Sequence, residues 1–147
     1  MRLKFTIYCI IVFSIVTSLL TVACKSNNPD NINCAACNYQ KPDSVNLTIK
    51  VTINNENPYV PIMVFKGEFK YNYSNSDVEY IDTVTEGTNY LSVPVNQYYS
   101  VRAEYKDGSN KIYAVDGDNL TLTEVTDVCV NTCWIANGGN IDVRLKK

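Results

Sequence analysis

Six cysteines and no histidine bound the chemistry open to this chain of 147 residues. Four of the cysteines form two close pairs near opposite ends, Cys34 and Cys37 as C-A-A-C, and Cys129 and Cys133 as C-V-N-T-C. Thiols at these spacings have three uses. Two such pairs can hold a zinc ion in a four-sulfur tetrahedron. A C-x-x-C pair can cycle between dithiol and disulfide. In an oxidising compartment the same four residues close structural disulfides. The redox use requires a strand-to-helix turn, and no helical pattern follows Cys37, so structural disulfides are the expectation, with a thiol-redox or metal-binding protein as an alternative. Three connectivities are open. Cross-pairing Cys34 and Cys37 with Cys129 and Cys133 would staple the start of the folded part to its end. The lack of histidine excludes Ser-His-Asp and Cys-His nucleophiles and His-ligated metals. Carboxylate, Tyr or Lys chemistry stays open, but carboxylate pairs cannot be assigned from spacing in an all-β chain. The expectation is a protein that is not an enzyme and carries no cofactor or metal.

The other two cysteines lie in or beside an apolar N-terminus. Met1-Arg2-Leu3-Lys4 is a short basic start, and Phe5 to Leu20 is a run of sixteen residues without a charge, containing Cys9. Thr21-Val22-Ala23 closes it with small residues, directly before Cys24. The stretch Leu20-Thr21-Val22-Ala23-Cys24 resembles the lipobox of a bacterial lipoprotein. That resemblance implies a signal peptide over 1–23, removed on export, and a lipid-bearing Cys24 as the first mature residue. The alternative is an uncleaved anchor, because Phe5 to Ala23 reaches nineteen uncharged residues, near the lower limit for a span. Residues 24–33 are polar and contain Pro29, which reads as a flexible tether. No Asp follows Cys24, so an outer-membrane address is expected, with the leaflet open.

Without its leader the chain keeps 124 residues, enough for one core. Its 13 basic residues less Arg2 and Lys4 leave 11 against 15 acidic, a net of −4. That balance argues against nucleic acid as a partner and against electrostatic docking on anionic lipid. The membrane contact is expected through lipid on Cys24, and any further partner is a protein or a glycan.

The part that must position these groups, 34–147, reads as strands. Val45, Leu47, Ile49, Val51 and Ile53 alternate with polar residues, the period-2 pattern of a half-buried strand. Tyr99, Val101, Ala103 and Tyr105 repeat it, with Tyr98 on the opposite, wetter face. Further strands are expected at Tyr59–Phe65 (Pro61 marking an edge or a strand start), Glu68–Tyr73, Val78–Thr85, Tyr90–Val95, Lys111–Val115, Leu120–Val125 and Ile141–Leu145. Asp107-Gly108-Ser109-Asn110 is a hairpin turn. Asp116-Gly117-Asp118-Asn119 reads as another turn, with a calcium loop as its alternative. Seven to nine strands and no helix beyond the helical signal peptide predict an all-β, antiparallel Greek-key β-sandwich.

Within it, Ile81-Asp82-Thr83-Val84-Thr85-Glu86-Gly87-Thr88-Asn89-Tyr90 and Tyr99-Ser100-Val101-Arg102-Ala103 resemble the T-x-x-x-G-x-Y … Y-x-V-x-A stretch of prealbumin-like sandwiches. These are the carboxypeptidase-regulatory and Cna-B type modules of secreted proteins. The resemblance covers about 45–115 and implies a stalk, spacer, or protein- or carbohydrate-contacting module without catalysis. As a whole the chain resembles small surface lipoproteins of anaerobic Gram-negative gut bacteria. The expected function is therefore a lipid-anchored structural or interaction module of the cell envelope. Its alternative is a carbohydrate-binding accessory lipoprotein that stacks sugars on exposed aromatics. The candidates for stacking are Tyr71 and Tyr73, which share one stripe with Phe69 and alternate with Lys70 and Asn72, together with Tyr98 and Trp134. Each has a plainer explanation: the stripe as a core-facing strand, Trp134 as packing over the disulfides.

Overall fold

The computed structural model describes residues 32–126 and 129–146. All but Ile32 belong to one compact unit, Asn33–Lys147. The expected leader, Cys24 and the tether as far as residue 31 lie outside the described residues. Eight strands form: β1 (Ser44–Lys50), β2 (Val60–Lys66), β3 (Val78–Val84), β4 (Thr88–Pro94), β5 (Gln97–Asp107), β6 (Asn110–Val125), β7 (Cys133–Asn137) and β8 (Asn140–Asp142). They build a three-stranded sheet in the order β4-β1-β8 and a five-stranded sheet in the order β3-β2-β5-β6-β7. The only helical pieces among the described residues are single 3-10 turns at Cys34–Ala36 and Asn75–Asp77. This is the expected β-sandwich.

Period-2 alternation explains the core. Leu47, Ile49 and Val51 from the β1 side meet Val60, Ile62 and Val64 of β2 and Tyr99, Val101, Ala103 and Tyr105 of β5, all buried. Each fully buried aliphatic side chain contributes about 1.5–3 kcal/mol. Two tyrosines carry their hydroxyls into this apolar layer and find acceptors there. Tyr99 donates to the Pro94 carbonyl at 2.8 Å. Tyr105 donates to the Val143 carbonyl at 2.8 Å and accepts from the Thr52 N–H at 3.1 Å. Burial pushes the pKa of both phenols up, so both stay neutral donors. Asn57, also buried, clips the turn after β1 to the end of β5: its amide accepts from the Lys106 N–H at 2.6 Å and donates to the Lys106 carbonyl at 3.1 Å.

Several expectations are corrected. The sheets are not wholly antiparallel, because β8 pairs parallel to β1, with Ile49 opposite Ile141. Alternation marks which face is buried and is blind to strand direction, so both pairings look alike in sequence. Of the two places expected for Pro61 it takes the strand start, second in β2, and not an edge, since β2 lies between β3 and β5. The ladder to β5 begins one residue later, at Ile62, so the missing N–H leaves no gap in it. β7 was not foreseen. Its buried Cys133 follows the cysteine loop, and the strand is held by pairing with residues 121–125 of β6.

Glu68–Tyr73 is not a strand. Gly67 takes φ +93°, and the Ser100 hydroxyl holds its carbonyl at 2.8 Å. The chain there turns back, and Phe69 and Tyr73 stack on Phe65 instead of joining a ladder, with centroids 5.1 and 4.9 Å away.

Asp116-Gly117-Asp118-Asn119 is neither a turn nor a calcium loop. It runs through the middle of the sixteen-residue β6. The two carboxylates point across to the free edge of β8: Asp116 accepts from the Asp142 N–H at 2.8 Å and Asp118 from the Asn140 N–H at 3.0 Å. Side chains thus satisfy edge amides that no neighbouring strand reaches. Gly117 is required for a different reason: a Cβ there would lie 2.9 Å from the Tyr99 backbone carbonyl and 2.8 Å from the Tyr98 ring. Beyond β8, Arg144 forks onto Asp142 at 2.8 and 2.6 Å and holds its carboxyl down at about 2.

Candidate functional site

The four cysteines come together as two crossed pairs, Cys34–Cys129 and Cys37–Cys133, with Cα separations of 5.7 and 5.5 Å. Asn38 bridges the Trp134 backbone in both directions, at 3.0 and 2.7 Å, and so adds the entry segment to the outside of β7. The disulfides hold this junction, in agreement with the expected staple. The Cys37 and Cys129 sulfurs also approach to 3.9 Å, and the Cys37, Cys129 and Cys133 sulfurs all lie within 4.8 Å of one another.

The other concentration of chemically able groups lies on the outer face of the five-stranded sheet. Register places Ile81 (β3), Met63 (β2), Arg102 (β5) and Val115 (β6) in one row across four strands. Arg102 is its centre. Its guanidinium carbon sits 5.5 Å from the centroid of the Tyr73 ring and 4.9 Å from that of Tyr113, a double cation–π arrangement. One Nη donates to the Tyr73 hydroxyl at 3.4 Å and the other to the Met63 sulfur at 3.2 Å. Both are weak acceptors. Among the described residues the ion pairs are Lys111–Glu104 and Arg144–Asp142, and neither includes Arg102. Lys106 and Lys111 face each other four residues along the same side from Arg102 and Val115. This side of β5 and β6 therefore carries Arg102, Lys106 and Lys111 against the single carboxylate of Glu104. The Glu104 hydrogen bond raises the Lys111 pKa, and the positive charge of Arg102 opposes that rise.

The four stacking candidates separate here. Tyr73 is half-buried and forms one wall of the Arg102 clamp. Tyr71 is 95% exposed and leans edge-on against Phe69 at 5.4 Å. Tyr98 is 38% exposed, whereas its neighbour Tyr99 is fully buried, as alternation required. It lies along the same strand as Arg102, with its ring across Gly117. Trp134 stands apart on β7, with the Lys41 ammonium 4.7 Å from its ring centroid. The stripe is not core-facing; it covers the outside of the sheet over Phe65. Sequence reasoning missed Arg102 and Tyr113. Their signal was present in the strict alternation of β5 and the Gly108-Ser109 turn, which together place Tyr113 opposite Glu104.

No protein-family model matches this chain, and neither a curated protein nor a solved structure is similar to it. The class rests on the geometry alone: an all-β, two-sheet domain closed by two disulfides, with an aromatic-flanked cation on its larger outer face.

Proposed function

We propose that this chain is a non-enzymatic protein of the bacterial cell envelope, anchored to the outer membrane by lipid on Cys24, and that its domain makes contacts through the outer face of the five-stranded sheet. The observation that carries the contact surface is Arg102, held between Tyr73 and Tyr113 with no carboxylate partner among the described residues. Arg and Tyr are the residue types that dominate binding energy at interfaces, and a half-buried guanidinium whose side-chain acceptors are a phenol oxygen at 3.4 Å and a thioether keeps N–H donors to spare. The resemblance of residues 45–115 to prealbumin-like contact modules points the same way. The second reading, a carbohydrate-binding accessory lipoprotein, is favoured by the tyrosine rings themselves, since Tyr113 is 50% exposed beside the cation. The pairing of all four domain cysteines as disulfides supports a structural use for them over zinc or redox chemistry.

Two measurements test this. With a photo-crosslinking residue in place of Val115, intact cells should yield a discrete adduct. The same residue at Ser92, on the outside of β4, should yield none; matching results from the two sites would remove the contact surface. Cys24→Ala should release the protein from membranes or leave an unlipidated precursor. In the wild type a fatty-acid label should appear on Cys24 with residues 1–23 gone; a wild-type chain that keeps its leader and takes no label would replace the lipid anchor by an uncleaved span.

A further inference from the structure

Resting on that contact surface, we propose that its ligand is an acidic polysaccharide whose pyranose rings carry carboxylates. Arg102 takes the carboxylate, and Tyr113 and Tyr98, the exposed rings beside it, take the apolar faces of neighbouring sugars. Three observations lead there. The Arg102 guanidinium has five N–H donors in a planar fork; the two it directs at protein groups meet a phenol oxygen at 3.4 Å and a thioether at 3.2 Å. A carboxylate accepts two such N–H groups at once and binds them more strongly than either present partner.

The charge of the face is opposite to that of the chain. Three cations and one carboxylate line this side of β5 and β6, while the sequence without its leader is net −4. An anion is therefore drawn to this surface rather than to the rest of the domain. The shape suits a polymer, since Tyr98, Arg102 and Lys106 follow one another along a single strand over about 27 Å. Tyr98 and Tyr113 offer exposed aromatic surface beside them. A nucleic acid is the poorer match, because a duplex carries a charge every ~1.7 Å and three cations cover few of its phosphates.

The test uses the full chain in detergent micelles, with polygalacturonate, its fully methyl-esterified form and dextran sulfate as probes. Polygalacturonate should bind. Esterification, which keeps the sugar and removes the charge, should weaken binding at least ten-fold without any change to the protein. Arg102→Gln should do the same to polygalacturonate binding while leaving the thermal unfolding of the domain in place. Equal binding of the ester would overturn the acidic ligand and leave a neutral-sugar surface. Equal binding of dextran sulfate would reduce the effect to charge alone and overturn it as well. If none of the probes binds, the polysaccharide is wrong; a crosslink at Val115 that persists would then point to a protein partner on the same face.

Discussion

Removing both disulfides should unfold the domain, whereas removing either one alone should cost only about 2.5 kcal/mol. The two bridges close loops of nearly equal length, with sequence separations of 95 and 96. In the chain-entropy account a loop of that size is worth about 4.7 kcal/mol. That figure does not apply twice. Once Cys34–Cys129 has joined the ends, Cys37–Cys133 adds only a small ring of about nine residues, worth roughly 2.5 kcal/mol on the same scale. Each bridge thus backs up the other, and the long-loop term disappears only when both are gone. The joint loss of about 7 kcal/mol is comparable with the whole stability of an ordinary domain. Urea unfolding of Cys34→Ser/Cys129→Ser, of Cys37→Ser/Cys133→Ser and of the fourfold variant, followed by Trp134 fluorescence, measures this directly. Two single-bridge losses that simply add up to the fourfold loss would refute the shared-loop argument.

Tyr105 should give the largest effect of any single side chain in the core. Its ring is fully buried on β5 of the larger sheet. Its hydroxyl joins the Val143 carbonyl and the Thr52 N–H, which follow β8 and β1 of the smaller sheet. Tyr105→Phe keeps the packing but leaves both backbone groups without that partner, a cost of about 1–3 kcal/mol. Tyr105→Ala adds the cavity left by an aromatic ring and should cost more, about 3–5 kcal/mol for the truncation. Because the hydroxyl ties one sheet to the other, Tyr105→Phe should also speed amide exchange at Thr52. Wild-type exchange at Thr52 in that variant would mean that the hydroxyl is not what holds the two sheets together there.

Much of the fold was legible before any coordinates. Tyr99, Val101, Ala103 and Tyr105 alternate so regularly that strand, buried face and solvent-facing neighbour all follow from spacing. The turn at Gly108-Ser109 fixed one hairpin by the same local rules. Where a local signal competed with a distant partner, the local reading failed. Asp116-Gly117-Asp118-Asn119 has the composition of a turn. It stays extended because Asp116 and Asp118 are needed at the edge of β8 and because Gly117 makes room for Tyr98. Glu68–Tyr73 has the alternation of a strand, yet Phe69 and Tyr73 gain more by covering Phe65.

The cysteines divide along the same line. Their types and spacing, together with the missing histidine, already restricted the chemistry to stapling, metal or thiol exchange, and placed the pairs at the two ends of the domain. Which cysteine meets which was open among three connectivities until the strands brought Cys34 to Cys129 and Cys37 to Cys133. The Arg102 cluster belongs wholly to what tertiary structure decides. Tyr73 and Arg102 are 29 residues apart, and Tyr113 reaches Arg102 only through the β5–β6 register. A period of two is written into neighbouring residues and can be read from them. The choice of cross-strand partners depends on how two sheets close around one core, and that is settled only when the whole chain packs.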